Sequence, residues 1–217
     1  MGIILDFHDC LLRDEDLVTL NEGEWVNDNI IQFAMEYLRR TLLTTVDYVL
    51  LVDPAVTQIV KLADARSVAT VLDSLNCKHT DWIFYVINDS LSTTSSGGSH
   101  WSLLVMSLTR EKSYHLDSLP SEGNYGCALK IADAMAEHCD RNGLRTVLQT
   151  NVAKQRNSCD CGLYVIVFLE ILCKNLFETK GSALMLDSVA SESVSSLVLS
   201  KRSVLKKLIG KLSNVDS

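Results

Sequence analysis

The chain has 217 residues, 47% of them hydrophobic, and a formal net charge of −7. That length suits one ample domain or two very small ones, and the acidic balance argues against a phosphate-binding face, because nucleic-acid binders usually carry basic surface. No apolar run reaches the ~20 residues that a membrane helix needs, so neither nucleic acid nor membrane is an expected partner.

Met1-Gly2-Ile3-Ile4 has no basic n-region, and Asp6, His8 and Asp9 interrupt the apolar stretch, so no secretory signal is expected. Seven scattered cysteines without such a signal point to reduced thiols in a cytosolic or nuclear protein. Farther along, Trp25-Val-Asn-Asp precedes IIQFAMEYL, whose apolar residues recur at helical spacing, with Asn27 or Asp28 as N-cap. VDYVLLV (46–52) reads as a strand, and Pro54 opens one helical region, AVTQIVKLADARSVATVLDSL. WIFYVIN (82–88) and HWSLLVMSL (100–108) read as buried strands joined by an exposed polar loop, SLSTTSSGG (90–98). SYHLDSL (113–119) is a third strand after a turn near 109–111. NYGCALKIADAMAEHCDRNG is a helix closing on Gly143, LRTVLQTNV is another strand, and Cys161 begins a strongly apolar helix. After Gly181 the chain is Ser- and Val-rich and ends in an amphipathic segment. Its basic residues Lys201, Arg202, Lys206 and Lys207 read as the solvated side of a terminal helix. The expected class is α+β, a mostly antiparallel sheet flanked by helices, in a single domain over 1–217.

QRNSCDCG (155–162) carries two cysteines two positions apart, Cys159 and Cys161. Zinc sites use Cys-x2-4-Cys spacing with a second ligand pair, and none matches here, so no metal is expected. A redox pair would be Cys-x-x-Cys. Two small buried hydrophobes are the plain alternative. Cys161 differs from Cys159 because it starts a helix, where unpaired N–H groups and the macrodipole favour a thiolate.

A nucleophilic thiol needs a base, and five histidines are available. His8, His79 and His138 lie near a terminus, in a polar stretch and within a helix, where surface or core roles fit. His100 starts a strand directly after Gly-Gly-Ser, at a sheet end. With Thr109 and Arg110 as a two-residue turn, Asp117 falls opposite Ser102 and diagonal to His100, with His115 farther along the same face. Cys161, His100 and Asp117 then form a nucleophile, base and orienter set for acyl transfer. The Cys161 N–H is one oxyanion donor, and the Gln155 amide, six residues upstream, is a second candidate alongside a plain surface role.

GGSHWSLLV, HLDS and QRNSCDCG together resemble the ubiquitin-like-protein-specific cysteine proteases, the sentrin-protease family. The resemblance implies a papain-like cysteine protease fold with the nucleophile at a helix N-terminus, over a catalytic core of about 9–178 followed by a helical tail over 181–217. It assigns His100 as base, Asp117 as orienter, Gln155 as oxyanion donor and Cys161 as nucleophile, with no cofactor. WVNDNIIQFAMEY (25–37) and DPAVTQIVK (53–61) look like the deneddylase branch, as does the absence of a long regulatory extension. Trp25, Asp28 and Trp101 would then line the channel for the modifier's Gly-Gly tail, although tryptophans also serve cores and Asp28 also suits a cap. The implied partners of this expected monomer are the neddylation modifier and its conjugates, such as cullins. A desumoylase, a deubiquitinase, an acyltransferase or a non-cleaving reader of a ubiquitin-like protein are the alternatives.

Overall fold

The computed structural model describes residues 2–92 and 97–214. It opens with a hairpin, β1 (Ile3–Phe7) and β2 (Cys10–Arg13), then a short helix α1 (Asp14–Val18). These follow as α2 (Asp28–Thr41), β3 (Val49–Val52), α3 (Pro54–Leu62), α4 (Ala65–Ser74), β4 (Trp82–Asn88), β5 (Trp101–Ser107) and β6 (Lys112–Leu116). The chain continues through α5 (Glu122–Cys139), β7 (Val147–Thr150), α6 (Cys161–Glu178) and α7 (Glu192–Ser213).

Five strands form a sheet in the order β3-β4-β5-β6-β7. Its centre is antiparallel, as expected, but both edge pairings, β3 with β4 and β6 with β7, are parallel. Parallel neighbours need a long crossover, and α3–α4 and α5 supply the two. The sheet is therefore mixed and covered on both faces. Along β4, Trp82, Phe84 and Val86 enter a core shared with α2, α6 and α7, whereas Ile83, Tyr85 and Ile87 enter a core under α3, α4 and α5. Burial on both faces explains why WIFYVIN shows no polar alternation.

Several boundaries differ from the sequence reading. The opening hairpin was not legible as strands. The helical region after Pro54 divides where Asp64 caps a new helix by accepting from the Arg66 and Ser67 N–H groups. α5 stops at Cys139, because Asp140 turns left-handed (φ 54°), and does not close on Gly143. Asn27 is the cap of α2, accepting from the Ile30 N–H at 3.1 Å, while Asp28 is the first helical residue. The loop expected over 90–98 lies partly outside the described residues. Most consequentially, the tail's basic face is only partly solvated: Lys206 and Lys207 are exposed, but Lys201 and Arg202 are not. Lys201 is buried and pairs with Glu170 at 2.5 Å, and Arg202 and Lys206 reach residues near the N-terminus. α7 buries Val194, Val198, Leu205 and Ile209 in the first core.

Candidate active site

His100 sits just before β5, and its backbone is clamped. Asp89 accepts from the Ser99 N–H (2.6 Å), the Ser99 hydroxyl (2.8 Å) and the His100 N–H (3.1 Å), closing the β4–β5 loop at its base. Gly98, at φ +93°, lies where a Cβ would collide with the Asn88 side chain, so this turn requires glycine. The β5–β6 ladder pairs Leu103 with Leu116 and Leu104 with His115. That is the register deduced from the turn, and it carries Asp117 past the strand end beside His100. His100 Nε2 lies 2.7 Å from Asp117 Oδ1, and both residues are buried. Asp117 is fixed in turn, accepting from the Leu119 N–H (2.9 Å) and the Ser121 N–H (3.3 Å).

Asp117 engages Nε2, which leaves Nδ1 as the ring nitrogen available to Cys161. Burial alone would lower the His100 pKa, but the bonds to Asp117 and Cys161 outweigh it and raise the value to about 9. His115 shares the sheet face and has the opposite fate. Burial drives it down to about 4, and its ring nitrogen meets the Ser102 hydroxyl at 2.9 Å. It is a neutral histidine of the sheet.

Cys161 is the first residue of α6, whereas Cys159 lies outside the helix. Burial and the Asp160 carboxylate push the Cys159 thiol pKa up. Gln155 is buried near this turn. Its Oε1 accepts from the Ser118 hydroxyl (2.7 Å), and its Nε2 donates to the Asn157 carbonyl (2.6 Å). One amide hydrogen is thereby used to orient the group, and a second remains to donate.

A cleft of about 750 Å³ is lined by Cys161, the segment 25–28, α3 and Trp101. Trp25, Asp28 and Trp101 all line it. Trp101 is pinned by its indole N–H donating to the Val26 carbonyl at 3.0 Å. The core tryptophan is instead Trp82, whose indole N–H donates to the Gly181 carbonyl. All seven residues singled out from the sequence thus gather in one region. The sequence reading did not single out Asp89, Asn157, Asp160 or Arg202. The first three are short polar residues in turn-rich stretches, where a local turn role reads equally well. Asn157 and Asp160 fall inside the quoted QRNSCDCG motif, which was their only signal.

A buried Cys and an imidazole–carboxylate pair beside a cleft on this mixed sheet form the arrangement of a thiol protease. The chain belongs to the Ulp1 protease family, whose C-terminal catalytic domain model matches residues 24–194. It is a cysteine protease of the class that acts on ubiquitin-like modifiers. It is 36% identical over 178 residues to the sentrin-specific protease 8 of Rattus norvegicus, covering 81% of each chain. It is 26% identical to the NEDD8-specific protease 1 of Arabidopsis thaliana, over 79% of this chain and 75% of that one. Among solved structures, it is similar in fold to the C-terminal Ulp1 protease domain in complex with Smt3, the yeast ortholog of SUMO. That match has a TM-score of 0.71 at 17% identity and covers 98% of this chain and 88% of that one.

Proposed function

We propose that this protein cleaves after the C-terminal Gly-Gly of a ubiquitin-like modifier, the neddylation modifier above others, by thiol catalysis at Cys161. The observation that carries the reading is the buried His100–Asp117 pair at 2.7 Å together with a thiol, Cys161, that lines the cleft. The bond to Asp117 places a proton on Nε2 and leaves Nδ1 to take the Cys161 proton. The thiolate sulfur then attacks the scissile carbonyl carbon, and the oxygen takes up the negative charge. The Cys161 N–H and the Gln155 amide donate to that oxygen. As the tetrahedral species collapses, the C–N bond breaks and the imidazolium returns its proton to the leaving amine. Water, deprotonated by His100, hydrolyses the thioester and frees the modifier's carboxylate and the thiol. Trp25, Asp28 and Trp101 hold the tail in this reading. Glycines without Cβ atoms fit beneath Trp101, and binding of the modifier's folded body orients the bond.

Preference for the neddylation modifier is supported by relatives named sentrin-specific protease 8, 34–36% identical, and NEDD8-specific proteases, 26–28% identical. The segments 25–37 and 53–61, which look like that branch, frame the cleft through Trp25–Asp28 and α3. Because tails sharing Gly-Gly are alike at the reacting bond, selection arises upstream, where a mismatched charged side chain would be left unpaired. About 1.4 kcal/mol is already tenfold, so one tail position is enough. The test compares kcat/KM for fluorogenic C-terminal derivatives of the neddylation modifier, ubiquitin and a sumo-type modifier at equal salt. The neddylation derivative should be cleaved fastest; faster cleavage of the sumo-type derivative would overturn the preference and leave the protease standing.

A further inference from the structure

α7 (Glu192–Ser213) lies almost wholly beyond the family match, which ends at residue 194. One of its side chains nevertheless bonds the residues that lead into the cleft lining at Trp25 and at Cys161. The Arg202 side chain is 13% exposed and its two terminal nitrogens make four short bonds. Nη1 donates to the carbonyls of Thr19 (2.9 Å) and Asn21 (2.8 Å). Nη2 donates to the Glu24 carbonyl (2.7 Å) and to Asp160 Oδ1 (2.8 Å). Three of these acceptors belong to the segment leading into Trp25 and Val26, and the Val26 carbonyl holds Trp101. The fourth is the carboxylate immediately before Cys161. Only a planar fork of donors spans acceptors so arranged; an ammonium has three hydrogens on one point.

From Asp160 the bonding continues inward. Asp160 stands at the N-cap of α6, yet its side chain makes no capping bond. Its Oδ2 instead accepts from the Asn157 amide at 2.7 Å. Asn157 Oδ1 accepts from the Cys159 and Asp160 N–H groups, both at 3.1 Å, and its carbonyl accepts from Gln155 Nε2 at 2.6 Å. Gln155 Oε1 closes the chain on the Ser118 hydroxyl, next to Asp117. The route from α7 therefore ends on the amide assigned to the oxyanion.

We infer that Arg202 is a positioning residue for cleavage: through Asp160 and Asn157 it fixes the Gln155 amide, and through three carbonyls it fixes the segment carrying Trp25 and Val26. This rests on the role proposed above for Gln155. The terminal helix is thus part of the catalytic framework.

The test uses the full chain with Arg202→Ala, Arg202→Lys, Asp160→Asn and the Arg202→Ala/Asp160→Asn double variant. Each is assayed for kcat and KM on whichever modifier derivative the wild type cleaves. The rate of Cys161 alkylation by iodoacetamide, a reaction that forms no oxyanion, is measured alongside. Removing an oxyanion donor outright costs about 10²–10³-fold; unfixing one through its support should lower kcat about tenfold. Asp160→Asn should lower kcat alone, and Arg202→Ala should lower kcat and raise KM. Neither should slow alkylation, the double variant should be no slower in kcat than Arg202→Ala, and Arg202→Lys should recover part of the loss. Unchanged kcat would overturn the inference, as would kcat and alkylation falling in parallel, which marks a general loosening. Should Arg202→Ala fail to fold, Asp160→Asn, which leaves the three carbonyl bonds intact, decides by the same criteria. A wild type that cleaves no modifier derivative rejects the proposed function; an active wild type with unaffected variants rejects only this inference.

Discussion

Cys159 and Cys161 are two positions apart, and α6 begins between them. Of the two, only Cys161 lies at the helix N-terminus and influences His100, whereas burial and the Asp160 carboxylate push the Cys159 thiol pKa up. Cys161→Ala should abolish cleavage and Cys159→Ser should leave most of it. Mass-spectrometric mapping of an electrophilic modifier's adduct checks this, and label on Cys159 with Cys161 untouched would refute the assignment. Asp117 offers a finer test, because its carboxylate selects the His100 tautomer through a 2.7 Å bond. Asp117→Asn should keep the protein folded and lower kcat by about 10²–10⁴-fold. Normal turnover in that variant would mean that the imidazole is oriented without it.

At the scale of elements, the start of α6 presses against the wall that carries the two cleft tryptophans. A Cβ built on Gly162 would lie 3.1 Å from the Val26 Cβ and 3.4 Å from Trp101 Cδ1, so either the helix or the wall must move by a few tenths of an ångström. Replacing helical glycine by alanine gains up to about 1 kcal/mol in propensity, which offsets much of the crowding. Gly162→Ala should therefore change Tm little while lowering kcat/KM several-fold, and a variant as active as wild type would show that this contact does not set the channel. The same elements show what the sequence made legible. Periodicity located α2, α6 and the central strands, and one turn fixed the β5–β6 register that brings Asp117 to His100. Sequence alone did not show the parallel edges, because edge pairing depends on where the crossovers α3–α4 and α5 pack. It also misplaced Arg202: an amphipathic helix shows which face is polar, but not whether another segment's carbonyls cover that face.

The whole molecule's stability integrates groups from both faces of the sheet, and its acid limb can be derived from two histidines. Burial lowers the His115 pKa from 6.5 to about 4, so the native state refuses a proton that the unfolded chain accepts between those values. Stability must then fall as pH drops through 6.5 towards 4. At about 1.4 kcal/mol per pKa unit, the full effect is on the order of 3 kcal/mol. His138, lowered chiefly by burial and then by Lys78, acts with the same sign. His100 does not interfere. Its raised pKa of about 9 gives stability that is fully present below 6.5 and is lost only as pH rises towards 9. Lowered carboxylates such as Glu36, held by Arg39 and Arg40 against its burial, release their contribution only below their ordinary value of 4.5. The interval from pH 6.5 to 4.5 therefore belongs to the buried histidines. Urea midpoints across it should fall steadily in wild type, His115→Gln should remove most of that slope, and His138→Gln should remove a smaller part. A flat wild-type profile, or an unchanged slope in His115→Gln, would show that His115 takes up its proton in the native sheet as readily as in the unfolded chain.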